Sequence, residues 1–249
     1  MSGHSKWSTI KRKKGKADAE RGKLFGKIIR LISVAARHGS DPEANADLRN
    51  AIQLARENNM PNENIERAIK KGTGELEGVS YEEVIYEGYG PGGVAVLVEV
   101  VTDNRNRTVS EIRRIFSRNG GNLGSTGCVA WIFSKMAYFS FDREKVCQDK
   151  ILDLALTVEV DDIEIDDKNI EVNLPTSEFE KFKKLLEDNQ VEYTLAEITM
   201  IPQSTVDLDG KKAEQMLNLM EQLEDHDDVQ HVYANFNIDD KIMEELTAG

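Results

Sequence analysis

Apolar and polar residues follow one another along the first third of the chain with the three- and four-residue spacing of amphipathic helices. This spacing predicts three helices, whose apolar positions lie within residues 17–38, 48–55 and 65–69. Gly39 is placed to end the first helix, and Asp41-Pro42 resembles the cap and first turn of the second. The pattern therefore predicts a small helical domain at the start of the chain.

The next part of the chain has the periodicity of strands and helices in turn. Residues 94–102 are β-branched and almost wholly apolar, which is typical of a strand buried on both faces. Thr108 and Glu111 have the spacing of a capping box, so a helix is predicted over residues 108–119. The apolar run at residues 128–133 predicts a further strand.

The later elements suggest that one unit is inserted into another. A βαββαβ series, the ferredoxin-like order, is predicted from strands 137–141, 163–165, 170–174 and 192–201 and helices 144–157 and 177–189. A last series comprises strand 205–208, helix 211–224, strand 229–236 and a short helix, 239–246. Joined to the elements before residue 134, this last series gives the same order again. We therefore predict an α+β multidomain protein with a basic helical domain (1–78), an α+β domain (79–134 plus 204–249) and an inserted α+β domain (135–203).

Charge is divided unevenly between the two ends of the chain. The first 39 residues contain 11 Lys and Arg but only two acidic residues, a net charge of +9. The whole chain has a net charge of −13, so the remaining residues carry −22. Blocks of like charge at a terminus are often nucleic-acid arms, because Lys and Arg release counterions from phosphates. The basic arm, defined here as residues 1–16, is therefore a candidate nucleic-acid site, and a solvated tail without a ligand is the alternative.

Ten cations are predicted to contact phosphates. They are the arm residues Lys6, Lys11, Arg12, Lys13, Lys14 and Lys16, and the helix residues Arg21, Lys23, Lys27 and Arg30. Trp7 lies among the arm cations, where it either stacks on a base or pins the arm to the neighbouring helices. These two roles for Trp7 are equally compatible with the sequence.

A second contact is predicted where the buried strand 94–102 leads into a helix. Arg105 and Arg107 lie in this connection, and their planar guanidinium groups suit phosphate oxygens. A helix N-terminus also attracts anions. Arg114 and Arg118 lie seven and eleven residues beyond Arg107 and would continue a basic face. The alternative is that these arginines form surface ion pairs with the acidic body.

The sequence contains no convincing catalytic or metal-binding set, so no enzymatic activity, cofactor or metal is predicted. Asp225-His226-Asp227-Asp228 resembles a metal cluster by composition only. The glycine-rich loop, residues 119–127, either cradles a phosphate with its amides or is a simple turn. Cys128 reads as a small core residue. An enzyme with an acidic cleft for a cation is the remaining alternative.

Composition limits the expected cellular location of the protein and its expected binding partners. No apolar run reaches the roughly 18 residues of a membrane span, and no signal peptide is recognisable, so a cytoplasmic protein is expected. Two cysteines in no paired motif fit a reducing compartment. The acidic body restricts nucleic-acid binding to a local surface and offers a face to a protein partner.

Several motifs together resemble one known family. They are MSGHSKW (1–7), KLF (23–25), NIERAIKK (64–71), YEGYGPGG (86–93), TDNRNRT (102–108), GGNLG (120–124) and VYANF (232–236). These segments closely resemble the YebC/PmpR family. The resemblance implies a helical N-terminal domain, two α+β domains, and a bacterial cytoplasmic transcriptional regulator without enzymatic activity that binds promoter DNA. It also implies a link to ribosomes, since the family includes mitochondrial translational activators and proteins that ease stalls at proline-rich sequences.

The leading prediction is thus a regulatory protein that binds DNA through the basic arm and the helical domain. The alternative is a translation factor that binds ribosomal RNA and relieves stalling at proline-rich sequences. A flexible basic arm suits the grooves of folded RNA, and no helix in the sequence is clearly dedicated to reading the major groove.

Overall fold

The computed structural model of the chain describes residue 7 and residues 18–78, 80–239 and 242–243. Except for Trp7, the basic arm lies outside the described residues, and so does most of the helix predicted over residues 239–246.

Three helices form the first unit, as the apolar stripes predicted. They are α1 (Asp18–Ala35, extended by a 3-10 turn at Ala36–His38), α2 (Ala46–Glu57) and α3 (Asn62–Gly72). Ile32, Leu48 and Ala68 are among the buried residues of their common core. Because α2 was expected to begin near Asp41-Pro42, its observed start at Ala46 is a correction. Asn45 causes it: its side chain accepts from the Leu48 amide at 3.1 Å and donates to the Ala35 carbonyl at 2.8 Å.

A four-stranded antiparallel sheet, here called the outer sheet, forms the second unit. Its strands are β1 (Glu82–Tyr89), β2 (Ala95–Thr102), β3 (Asn122–Leu123) and β9 (Val229–Ala234), in the order β3-β1-β2-β9. Two helices, α4 (Arg105–Arg118) and α7 (Gly210–Glu224), cover one face of this sheet. Side chains of β2 such as Val98 share a core with Phe116 of α4 and Met220 of α7.

The chain returns to this unit after the inserted elements. β9 pairs with β2, which lies more than 125 residues earlier, and residues 206–243 contribute to the same core as residues 84–123. β8 (Val206–Leu208) and β10 (Phe236–Ile238) add a parallel two-stranded sheet. The predicted domain boundaries at residues 78, 134 and 203 remain a prediction.

The inserted elements follow the predicted βαββαβ order. They are β4 (Phe133–Asp142), α5 (Gln148–Ala155), β5 (Asp162–Ile165), β6 (Asn169–Leu174), α6 (Phe179–Asp188) and β7 (Leu195–Pro202), and their antiparallel sheet has the order β5-β6-β4-β7. Phe139 of β4 meets Phe182 of α6 edge to face, with ring centroids 4.9 Å apart. Edge-to-face contact is a preferred geometry for aromatic pairs in a core.

The outer unit corrects the expectation of a second βαββαβ series. It contains the strand β1, which the sequence analysis did not identify, and residues 128–133 do not form the predicted strand. They form a turn followed by a 3-10 turn at Ala130–Ile132, and β4 begins only at Phe133. The buried Glu87 carboxylate explains this, because it accepts hydrogen bonds from the amides of Val129 and Ala130, both at 2.8 Å. A strand partner would need those same amides. The mixed α+β class is confirmed, but the exact repetition of the ferredoxin-like order is not found.

Candidate nucleic-acid interface

The basic side of α1 faces an acidic segment between α7 and β9. We call residues 224–228 the acidic turn; its sequence is Glu-Asp-His-Asp-Asp. Lys27 donates to the Glu224 carbonyl at 2.6 Å, and Arg30 donates to the Asp227 carbonyl at 2.7 Å. Two of the helix cations that were predicted to contact phosphates are therefore bonded within the protein.

Asp228 joins three elements at the contact between α1 and the acidic turn, which we call the seam. Its side chain is only 4% exposed. Its Oδ2 accepts from Thr108 at 2.7 Å, from Arg107 at 2.9 Å and from Thr102 at 3.1 Å. Its Oδ1 lies 3.6 Å from Nη2 of Arg30 on α1. One buried carboxylate thus holds the end of β2, the first turn of α4 and the basic side of α1 together.

The hydrogen bonds to Asp228 determine its charge state. Burial alone would raise the pKa of this carboxyl, since it disfavours the charged form. The hydrogen bonds from Thr108, Arg107 and Thr102 outweigh burial, so the pKa is lowered below its ordinary value. Asp228 is therefore a carboxylate at neutral pH and repels any phosphate at this position.

Arg107 is engaged in ion pairs, which was the alternative considered for it. Its Nη2 donates to Asp103 at 2.8 Å as well as to Asp228. These hydrogen bonds raise the pKa of Arg107 above its ordinary value, so it is always charged. Arg105, in contrast, is exposed, and no ion pair of its side chain is found among the described residues; the Tyr86 hydroxyl donates to its backbone carbonyl at 3.3 Å. Of the two arginines predicted for a second contact, Arg107 is the one that has ion pairs among the described residues.

The start of α4 also differs from the predicted capping box. The helix begins at Arg105 because the Asn104 side chain accepts from the Arg107 amide at 3.1 Å. Thr108, the predicted cap, is buried, and its hydroxyl donates to the Asp228 carboxylate. Asn104 is a preferred N-cap residue, so the sequence did contain this signal.

Trp7 is buried next to the same seam. The residue is 8% exposed and belongs to the core between the outer sheet and its two helices. Its indole nitrogen donates to the Glu224 carboxylate at 3.1 Å. In this arrangement Trp7 anchors the basic arm beside the acidic turn.

A cleft of about 530 Å³ lies between α1, α4 and the acidic turn. Three cations and five carboxylates line it, together with one histidine: Lys23, Arg30, Arg107, Asp103, Glu111, Asp225, Asp227, Asp228 and His226. His226 accepts from the Asp228 amide at 3.1 Å through Nδ1, so Nε2, which lies 2.8 Å from Glu111, is the donor to that carboxylate. The excess of carboxylates makes this cleft a docking seam rather than a binding site for a polyanion.

The glycine-rich loop ends in a site that is already filled by a carboxylate. Oε1 of Glu87 accepts from the Gly127 amide at 2.6 Å, and Oε2 accepts from the amides of Val129 and Ala130, which lie beyond the loop. Burial alone would raise the pKa of Glu87, but these three hydrogen bonds outweigh it and lower the pKa. One of the loop amides considered for a phosphate, that of Gly127, therefore binds the protein's own carboxylate. Trp131, which follows Ala130 in the chain, is 70% exposed.

Other candidate chemistry does not assemble into a site. Burial raises the pKa of the Cys128 thiol, which lowers its reactivity at neutral pH. Among the residues that the structure describes, no three His, Cys, Asp or Glu are grouped to hold a metal ion. No helix in the described part of the chain has both the length and the apolar composition to cross a membrane.

These contacts define a class of protein: a basic helical domain docked on the acidic turn of an α+β body, with Trp7 of the basic arm buried beside them. The chain belongs to the TACO1/YebC family. Residues 5–75 match the "TACO1/YebC protein N-terminal domain", and residues 81–236 match the "TACO1/YebC second and third domain". The resemblance stated from the sequence motifs is thereby confirmed.

Relatives from several bacteria are similar over their whole length. A protein of Syntrophus aciditrophicus named "Probable transcriptional regulatory protein" is 58% identical, with all of both chains covered. A protein of the same name from Syntrophobacter fumaroxidans is 57% identical over 99% of this chain and all of the relative. The crystal structure of a conserved hypothetical protein from Aquifex aeolicus is 48% identical and superposes with a TM-score of 0.77, covering 92% of this chain and 95% of that one.

Proposed function

We propose that the chain is a non-enzymatic, cytoplasmic regulatory protein that binds promoter DNA through the basic arm and the exposed start of α1. The charge distribution carries this proposal, since the first 39 residues have a net charge of +9 in a chain of −13. Cations clustered in this way gain affinity by releasing counterions from phosphates. The name of the bacterial relatives, which refers to transcriptional regulation, supports the same function.

The proposed contacts are the cations of the arm and the exposed cations at the start of α1. Lys27, Arg30 and Arg107 bond to the body of the protein, so we assign them to docking of the helical domain rather than to the ligand. Arg21 and Lys23 are exposed on the first turns of α1. The phosphate contacts are therefore assigned to Lys6, Lys11, Arg12, Lys13, Lys14, Lys16, Arg21 and Lys23.

The acidic body gives the arm its selectivity in this proposal. A net charge of −22 outside the first 39 residues repels nucleic acid from most of the surface. Trp7 donates to the Glu224 carboxylate, and Lys27 of α1 donates to the carbonyl of the same residue, so Trp7 of the arm lies beside α1. A bound nucleic acid would therefore meet the arm and the first turns of α1 together.

The test is competition binding of the purified chain to promoter-length duplex DNA and to ribosomes over a salt series. Duplex binding that survives an excess of non-specific competitor is the expected result. Saturable ribosome binding that excess duplex cannot displace would contradict the DNA proposal and favour the translation factor. Failure to bind either partner at low salt would refute nucleic-acid binding altogether.

A further inference from the structure

The outward face of α4 is a second, separate concentration of positive charge. Ile112 and Phe116 bury the inner side of this helix in the core. Arg113, Arg114 and Arg118 are exposed on the outer side. Residues three and four apart lie on one side of a helix, so Arg114 and Arg118 are neighbours, and Arg113 flanks them.

This face differs in charge from the body that carries it. The helix contains five arginines and one acidic residue, whereas residues 40–249 have a net charge of −22. That acidic residue, Glu111, lies 2.8 Å from His226 and so faces the acidic turn. Within the described part of the chain, Arg113, Arg114 and Arg118 have no ion pair.

The polar neighbours of these arginines do not offer a competing ligand. The Ser110 hydroxyl donates to the Asn106 carbonyl at 2.8 Å, and the Ser117 hydroxyl donates to the Arg113 carbonyl at 2.9 Å. Both hydroxyls are thus bonded within the helix. The arginine side chains are the only charged groups that this outer side presents among the described residues of α4.

We propose that Arg113, Arg114 and Arg118, which we call the arginine face, bind the sugar–phosphate backbone of the nucleic acid. Guanidinium groups match phosphate oxygens in geometry and are always charged. Arg114 and Arg118, on one side of the helix, are separated by about 6 Å of helix rise, which corresponds to about two phosphate steps along one strand of a duplex. This inference rests on the proposed function and adds a contact surface distinct from the basic arm.

The position of α4 suits a joint contact. The first turn of α4 meets the acidic turn through Arg107 and Asp228, and Trp7 anchors the arm to Glu224 of the same turn. The arginine face begins about two helical turns beyond Arg107. Trp7 and the start of α4 therefore contact the same acidic turn.

The test replaces all three arginines by glutamine (R113Q, R114Q and R118Q together) in the full chain. A matched control removes three exposed lysines from the inserted elements: K145Q, K181Q and K184Q. Fluorescence anisotropy would measure binding to a labelled 20-base-pair duplex and to a single-stranded RNA of 20 nucleotides over a salt series. Circular dichroism would confirm that both variants melt like the wild type.

The expected result is at least a tenfold loss of duplex affinity for the arginine variant only. The slope of log K against log salt should become shallower by about 2 to 3, since each lost phosphate contact on a duplex removes about 0.9. A variant with the wild-type slope and affinity for both probes would overturn the arginine face but leave the proposed function intact. A wild-type chain that binds neither probe would contradict both proposals.

One further outcome would reassign the surface. If the arginine variant keeps nucleic-acid binding but loses the wild type's binding to a labelled poly-glutamate peptide, the face serves an acidic protein partner. That result would overturn the proposal as stated.

Discussion

Asp228 is a single residue whose environment explains how the helical domain is attached. It is buried, it is charged, and Thr102, Thr108 and Arg107 satisfy its Oδ2. A buried charge of this kind stabilises a structure only while its partners remain, because removing one member leaves the others desolvated and unpaired.

We therefore expect Asp228→Asn to lower the free energy of unfolding by about 3 kcal/mol, since Arg107 would lose a buried carboxylate. Urea denaturation followed by circular dichroism would measure this. Asp227→Asn is the matched control: its side chain is exposed and only its carbonyl bonds to Arg30, so a change within about 0.5 kcal/mol is expected. Equal effects of the two substitutions would refute the role assigned to Asp228.

Glu171 on β6 predicts a dependence of stability on pH. It is 4% exposed, and its Oε1 has no hydrogen-bond partner among the residues described. Burial raises its pKa to about 7, whereas an unfolded chain gives about 4.3. The folded state therefore favours the protonated acid. This stabilisation is fully present below about pH 4 and is lost as the pH rises through about 7.

The corresponding experiment compares the melting temperature of the wild type and of Glu171→Gln from pH 5 to pH 8. Since each pKa unit corresponds to about 1.4 kcal/mol, the wild type should lose stability relative to the variant over this range. Glu180→Gln, at an exposed position of α6, should keep the wild-type profile. A constant difference between wild type and Glu171→Gln at every pH would show that the Glu171 carboxyl does not titrate in this range.

At the level of elements, the local pattern predicted most helices and strands. The apolar stripes of α2 and α3 and the β-branched run of β2 each depend on one stretch of sequence, so their periodicity identifies them. The βαββαβ order of the inserted elements was predictable for the same reason.

The elements that were missed or wrong depend on distant partners. Residues 128–133 have the composition of a strand, but Glu87, about 40 residues earlier, takes their amides. Gly121 reads as a flexible turn, yet a Cβ there would lie only 2.6 Å from the Tyr89 carbonyl oxygen, so the glycine permits close passage of β1. Such contacts leave no periodic signal.

The candidate site likewise combines features that the local sequence predicts with contacts to distant residues that it does not predict. The sequence identified Lys27 and Arg30 as cations of the first helix, but their partners lie 197 residues away in the acidic turn. The charge of the helix was therefore predictable, and its use within the protein was not. The same holds for Trp7, whose partner Glu224 lies 217 residues away.

The two tryptophans allow a direct test of the anchor. Trp7→Ala should lower the free energy of unfolding by about 2–4 kcal/mol, because it removes a buried aromatic side chain and a hydrogen bond. Trp131→Ala should change it by no more than about 0.5 kcal/mol, since Trp131 is 70% exposed. Chemical denaturation of both variants would measure the difference. Comparable losses would contradict the anchoring role of Trp7.

At the scale of the whole molecule, opposite charges both assemble the protein and restrict where a polyanion can bind. Part of the basic helix α1 docks on the acidic turn, whereas the arm and the arginine face are the surfaces that we propose for a ligand. Deleting residues 1–16 would remove Trp7 along with the cations, so it would mix loss of stability with loss of binding. Neutralising the arm cations beyond Trp7 separates these two effects.

The most direct test of nucleic-acid binding through the arm is therefore the affinity of wild type and of a quintuple variant for one duplex across a salt series. The variant carries K11Q, R12Q, K13Q, K14Q and K16Q. With eight cations assigned to phosphates, wild type should show a slope of log K against log salt of about −7 or steeper, and the variant a slope shallower by about 4 to 5, with unchanged melting temperature. A variant that binds with the slope and affinity of the wild type would contradict the account.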